Sequence, residues 1–179
     1  AAAARGARVI LVSGPTALAA PPGVDLIHVE TADEMYRVVL AKLESARVVI
    51  KAAAVADYRP KRRADSKLKK DQAVPEIALE PTPDILAELG KRKGKRILVG
   101  FAAETDDVLV NARKKLRSKN LDLVVANDVG EAGAGFDVDT NIVTMLDGAG
   151  SAEELPLLSK REVADRILER VKLLLHKSA

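Results

Sequence analysis

The chain has 179 residues, 47% of them apolar, and its 29 basic and 26 acidic residues leave a formal charge of +3. That length supports one sizeable core and a single domain. The absence of cysteine excludes disulfides, thiolate catalysis and zinc–sulfur sites, and so modest a charge with two Phe, two Tyr and no Trp argues against base-stacking nucleic-acid binding.

In chain order, Ala1 to Arg5 are strong helix formers and Gly6 stands where a helix-ending glycine belongs. Five residues cannot nucleate a helix alone, so the pattern predicts the last turn of a helix that starts upstream; a frayed alanine-rich terminus is the alternative. Residues 8–12 and 25–29 read as strands. Thr31 and Glu34 form a capping box that opens a helix toward residue 43. Residues 46–53 are apolar and β-branched at the centre, the pattern of a strand covered on both faces.

That strand runs into Ala54-Val55-Ala56-Asp57 and then into seven basic residues: Arg59, Lys61, Arg62, Arg63, Lys67, Lys69 and Lys70. A flexible cationic loop held at one end by an apolar scaffold suits a polyphosphate ligand. A short strand is predicted over 76–79. Thr82-Pro83-Asp84 reads as a helix start with Thr82 as cap and Pro83 at the first position. Strands follow at 96–101 and 121–126, with a helix over 106–119 between them. A Gly-rich stretch at 130–135 leads to a strand over 141–146. Ser159 and Glu162 form a second capping box, opening an amphipathic helix to about residue 175. This alternation predicts an α/β fold: a mainly parallel, Rossmann-like sheet with helices on both faces.

In such sheets ligands bind at the carboxyl ends of the strands, which here are Ser13 to Thr16, Ala53 to Asp57, Gly100 to Thr105 and Ala126 to Asp128. No Gly-x-Gly-x-x-Gly follows the first strand and no Walker-type Gly-Lys-Thr occurs, which disfavours dinucleotide redox chemistry and P-loop hydrolysis. Ala52 and Ala53 are small enough for backbone to approach a ligand. Pro83, Asp84, Ile85 and Leu86 lie at a helix start that favours phosphate, although any capped helix carries that signature. Phe101 offers an apolar face or a core side chain. Lys115 and Lys119 share one helix face, near a ligand or simply solvated. Asp57 is a lone carboxylate at a strand end, facing a ligand or capping a turn. His28 and His176 are too far apart to suggest a metal pair. No apolar run nears the ~20 residues of a membrane helix, and no signal peptide is visible; a cytoplasmic protein binding neither nucleic acid nor membrane is expected.

Five collinear motifs carry a family resemblance. They are Ala53-Ala54-Val55-Ala56-Asp57-Tyr58-Arg59-Pro60, Lys67-Leu68-Lys69-Lys70, Pro83-Asp84-Ile85-Leu86, Gly100-Phe101-Ala102-Ala103-Glu104-Thr105, and Asn120 through Asp128. Together they resemble the bacterial phosphopantothenoylcysteine synthetases, the CTP-dependent phosphopantothenate–cysteine ligase domains of bifunctional coenzyme A biosynthesis proteins. The resemblance implies a reaction in which CTP activates 4′-phosphopantothenate as an acyl-cytidylate and cysteine then displaces CMP. It implies CTP as co-substrate, Mg2+, a homodimer, and a flavin-dependent decarboxylase domain upstream in the full protein, with no flavin in this chain.

By position, the resemblance assigns Lys67 to catalysis on the loop over the triphosphate and Asp57 to the nucleotide and metal. It assigns Ala52, Ala53, Pro83, Asp84, Ile85, Leu86, Phe101, Lys115 and Lys119 to the nucleotide site. The family's Gly-Gly-Thr turn, Asp-Pro-Val-Arg segment with its following asparagine, and Ser-Ser-Gly run, which precede the matching region in family members, are not found within residues 1–179. Residues 1–179 are therefore expected to be an N-terminally truncated ligase domain, inactive or weakly active alone. A nucleotide-binding or regulatory module without catalysis is the alternative, and an unrelated sugar- or nucleotide-modifying enzyme on the same architecture is a third.

Overall fold

The computed structural model describes residues 1–62, 66, 76–104, 107–128 and 138–177, with backbone only for Ala103, Glu104 and Asp128. After a single 3-10 turn at Ala3–Arg5 come β1 (Val9–Ser13), β2 (Val24–His28), α1 (Ala32–Lys42) and β3 (Val48–Lys51). A short hairpin of β4 (Tyr58–Pro60) and β5 (Leu79–Pro81) precedes α2 (Ile85–Lys91), β6 (Ile97–Glu104), α3 (Val108–Ser118) and β7 (Leu123–Asp128). The chain closes with β8 (Thr140–Asn141), β9 (Val143–Asp147), β10 (Ala152–Glu154), β11 (Leu158–Ser159) and α4 (Lys160–Lys177).

The principal sheet has the order β10-β9-β7-β6-β3. Pairs β3–β6 and β6–β7 are parallel, whereas β9 and β10 are antiparallel additions, so the sheet is mixed beyond its parallel half. The turn from Asp147 to Ser151 accounts for the antiparallel β9–β10 pair: it is too short for a crossover and returns the chain as a hairpin. A separate parallel pair joins β1 to β2.

Strand alternation divides the core into two. Leu98, Ala102, Val124, Ala126 and Leu146 meet Met35 of α1, Ile85, Leu86 and Leu89 of α2, and Ala112 of α3 on one face. Ile97, Val99, Leu123, Val125, Val143 and Met145 meet Val163, Ile167 and Val171 of α4 on the other. Odd and even residues of β6 and β7 thus serve opposite layers, as a period of two requires. Both strands are buried on both sides, which is why they read as apolar runs rather than as alternating ones.

Both helix starts are capped as the sequence predicts, but only the second forms the full reciprocal box, since at the first the Glu34 carboxylate reaches the residue before the Thr31 cap. Glu34 N–H donates to Thr31 Oγ1 at 3.2 Å, while the Glu34 carboxylate accepts from Glu30 N–H at 2.8 Å. Ser159 N–H donates to Glu162 Oε2 at 2.9 Å and Glu162 N–H returns to Ser159 Oγ at 3.2 Å. Gly6 adopts the left-handed conformation (φ 81°) and its N–H closes on Ala3 O, ending the first turn.

Other boundaries shift for local reasons. The strand expected over 46–53 is only Val48–Lys51, because residues 52–57 leave the sheet. Helix α2 begins two residues later than its sequence suggests. Thr82 is not its cap: its hydroxyl donates to Ala56 O and its N–H to Asp57 O at 2.9 Å. Asp84 takes that place, accepting from Ala87 N–H at 2.8 Å, and Pro83 lies outside the helix. Arg59 is no free cation: it pairs with Asp33 and, at 2.8 Å, with Glu80. The Gly-rich stretch at 130–135 lies outside the described residues.

Helix α2 meets the end of α3 through Gly90, where a Cβ would stand 2.1 Å from the Lys119 carbonyl oxygen. Asn120 reinforces that contact by donating from Nδ2 to Gly90 O at 2.9 Å. The obstacle is backbone and cannot rotate away. Gly90→Ala is therefore expected to lower unfolding free energy by about 1–3 kcal/mol, read as a shift of the urea midpoint at unchanged slope. A change within about 0.5 kcal/mol would place that substitution among neutral surface changes and refute the tight α2–α3 contact.

Candidate functional site

A cavity of about 440 Å3 opens at the carboxyl ends of β3, β6 and β7. Its size falls within the roughly 300–1,000 Å3 of small-molecule sites. One wall is the loop after β3, with Ala52, Ala53, Ala54, Val55 and Asp57. A second wall is the entry to α2, with Thr82, Pro83, Asp84, Ile85 and Leu86. Phe101 and Ala102 come from β6, Lys115 and Lys119 from α3 and its C-cap, and Asn127 from β7.

The two walls are tied together. The paired hydrogen bonds from Thr82 to Ala56 O and Asp57 O hold the β3 exit against the approach to α2. Gly100 lets α2 close on the sheet, since a Cβ there would lie 2.8 Å from Leu121 Cδ1 and 2.9 Å from Leu86 Cδ2. Ile85 and Leu86 are core side chains, 2% and 4% exposed, so they give the cavity an apolar floor rather than polar contacts. The α2 helix spans only Ile85–Lys91, too short for its N-terminus to count as an anion site by itself. Phe101 does both things its sequence allowed: it packs on the α4 side of the core and lines the cavity.

Charge in the cavity is uneven. Lys119 is bound to Asp84. Burial alone would raise the Asp84 carboxyl, but the Lys119 ammonium, the Ala87 N–H and the Lys51 charge together hold it below the usual carboxylate range. Lys51 donates to Ala53 O at 2.8 Å. Burial first, and then the neighbouring Lys115, push its ammonium below the ordinary lysine range, against weaker support from Asp84 and Asp57. Asn127 Oδ1 is buried and has no hydrogen-bond partner in the described structure, an acceptor that a ligand N–H would satisfy.

Every site residue expected from sequence that the structure describes borders this cavity; Lys67 lies outside the described residues. The site assignments did not include Lys51, Thr82 or Asn127. Asn127 was legible as a polar residue at a strand end. Lys51 was hidden because it closes an apolar strand, and Thr82 because its hydroxyl resembled a helix cap. No group of three or more His, Asp or Glu occurs among the described residues, so any metal there would rely on few protein ligands. A second hollow, about 650 Å3, runs along α3 beside Val110, Arg113, Lys114, Arg117 and Ser118, but it draws on one helix and has no strand end.

The fold and this site define a Rossmann-like α/β domain with a small-molecule cavity at its strand ends. Residues 1–174 match the family profile described as DNA/pantothenate metabolism flavoprotein C-terminal domain, and the chain belongs to that family. It is 51% identical over 167 residues to the coenzyme A biosynthesis bifunctional protein CoaBC of Bacillus subtilis strain 168, covering 93% of this chain and 41% of that protein. It is 43% identical over 178 residues to a cysteine/cysteine sulfinic acid decarboxylase from an unknown prokaryotic organism, covering 98% of this chain and 50% of the relative. The crystal structure of the C-terminal domain of a CoaBC bifunctional protein superposes with a TM-score of 0.80 at 47% identity, covering 96% of this chain and 76% of that one. The chain thus spans half or less of the length of these two curated relatives. Among the described residues, no helix is long and apolar enough to cross a membrane.

The Asp84 charge has a signed consequence. Its folded-state pKa lies below the unfolded value of about 3.9, so its stabilisation is present above that value and is lost as pH falls through the folded pKa. Asp84→Asn keeps a capping oxygen and removes the charge. The variant is expected to be less stable than its parent at pH 7 by under about 1 kcal/mol, because the carboxylate is half-exposed. Urea midpoints taken stepwise from pH 7 to about pH 3 should show that gap narrowing. A constant gap would mean that Asp84 acts by shape and not by charge.

Proposed function

We propose that this chain is the phosphopantothenate–cysteine ligase part of a bifunctional coenzyme A biosynthesis protein, with CTP as the activating nucleotide. The observation that carries the reading is convergence. Residues scattered from Ala52 to Lys119, assigned to a nucleotide site by motif alone, border one cavity that also holds Lys51 and Lys115, neither of them ion-paired among the described residues. Similarity to CoaBC proteins supports the same activity.

In the proposed reaction a carboxylate oxygen of 4′-phosphopantothenate attacks the α-phosphorus of CTP. The bond from α-phosphorus to the bridging oxygen breaks and pyrophosphate leaves, giving an acyl-cytidylate. The amine of cysteine then attacks the acyl carbon, CMP departs with the bonding electrons, and the amine loses a proton. Ala52 and Ala53 leave the loop backbone open to the ligand, Phe101 supplies an apolar surface, and Lys115 places an ammonium beside the phosphates. The Asn127 amide oxygen accepts an N–H from the ligand. Lys67 is assigned to offset charge on the α-phosphorus and the departing pyrophosphate.

Asp57 lines the cavity, forms no ion pair among the described residues and is a carboxylate free to hold Mg2+, an ion that commonly takes one or two protein carboxylates beside phosphate oxygens. Bound there, the metal would neutralise triphosphate charge. The full protein is proposed to act in the cytoplasm as a homodimer, with an upstream flavin-dependent decarboxylase domain.

Pyrophosphate release measured on the full-length protein with CTP, 4′-phosphopantothenate and cysteine tests this reading. Turnover should require all three, and calorimetry should show CTP binding more tightly than ATP, GTP or UTP. Lys67→Ala is expected to slow turnover by on the order of 10²–10³. Near-parental turnover in that variant would remove Lys67 from the catalytic assignment, and equal ATP binding would remove the cytosine preference.

A further inference from the structure

Lys51 ends β3, and its side chain enters the cavity half-buried. The charged groups around it come from three directions: Lys115 from α3, Asp84 from the approach to α2, and Asp57 from the loop after β3. Asp84 is already bound to Lys119. The direct partner of Lys51 is therefore a neutral one, the Ala53 carbonyl two residues along its own chain. Lys115 makes no ion pair among the described residues.

Two ammonium groups on one partly desolvated wall repel each other, and without a paired carboxylate the arrangement costs stability. A lysine kept only for structure is ordinarily solvated or given a carboxylate. The same fold does this elsewhere: Lys93 reaches Asp122 Oδ1 at 2.7 Å and also donates to Asn120 O. Lys51 has instead a neutral acceptor, a flexible four-carbon stem and an adjoining cavity. Those are the conditions for an ammonium that changes partner when an anion arrives.

We propose that Lys51 is a phosphate-contacting residue of this pocket, whose ammonium leaves the Ala53 carbonyl and, beside Lys115, donates to phosphate oxygens of the bound ligand. The inference rests on the ligase reading above and adds to it a cation, Lys51, that was not assigned from the sequence. The lowered proton affinity of Lys51 agrees, since a bound anion would remove the penalty that burial and Lys115 impose. The phosphate belongs either to the nucleotide or to the phosphorylated acid, and the two sources are separable by experiment.

Steady-state kinetics on the full-length protein should compare the parent with Lys51→Met and Lys51→Arg, varying CTP, 4′-phosphopantothenate and cysteine in turn. Loss of a charge-assisted hydrogen bond predicts a KM increase of about tenfold or more for the substrate whose phosphate Lys51 meets. The KM for cysteine, which carries no phosphate, should stay within about twofold, with kcat little changed and with Lys51→Arg recovering most of the loss. The affected substrate identifies the source of the phosphate. If all three KM values of Lys51→Met stay at parental level, or all three rise together, the proposal is overturned. If the parent protein does not turn over these substrates at all, the ligase reading itself fails, a result distinct from the failure of Lys51 alone.

Discussion

Parallel pairing of β3 with β6 and of β6 with β7 brings three strand ends to one edge of the molecule. The register sets Lys51 opposite Gly100, Ala102 opposite Ala126 and Ala103 opposite Asn127. Residues more than seventy positions apart in the chain thereby border a common space. The pairing is held by the apolar faces of β6 and β7, buried between α1–α3 on one side and α4 on the other. A one-residue slip would exchange the two faces of a strand and dismantle both core layers, so this register is strongly specified.

On that frame the cavity is completed by segments with little regular structure of their own. The loop over 52–57 makes no strand, and what fixes it is Thr82, whose hydroxyl and N–H reach Ala56 O and Asp57 O. Gly90 and Gly100 then bring α2 close to α3 and to the sheet. Removal of a side chain at two positions thus does as much for the cavity as the side chains that line it. The electrostatics follow from the same closeness: Asp84, capping α2, lies near enough to Lys119 of the α3 cap to bind it. That pairing leaves Lys51 and Lys115 as the positive side of the pocket.

Much of the fold was legible in the sequence because its strongest signals are local. Thr31 with Glu34 and Ser159 with Glu162 state a helix start within four residues, and both form. The strands β6 and β7 announce themselves as apolar runs. The hairpin of β4 and β5 was only partly visible, because three-residue strands ending in Pro60 and Pro81 carry no periodicity. The split of the predicted 141–146 strand into β8 and β9 was hidden for a similar reason: Asn141 and Val143 are both buried but pair with different neighbours. The start of α2 was misplaced because a threonine hydroxyl is equally able to cap a helix or to tie two loops, and only tertiary contact decides. Within the site, motif spacing located the small and apolar residues, whereas the partners of Lys51 and of Arg59 depend on contacts across the fold that no local pattern records.

The central claim is that the cavity at the ends of β3, β6 and β7 receives the nucleoside triphosphate. A crystal structure of the full-length protein with CTP and Mg2+ tests it most directly. Nucleotide density is expected between the Ala52–Ala54 backbone and Phe101, with phosphate oxygens within hydrogen-bonding distance of the Lys51 or Lys115 ammonium. Ordered nucleotide bound elsewhere, with this cavity left to solvent, would contradict the account.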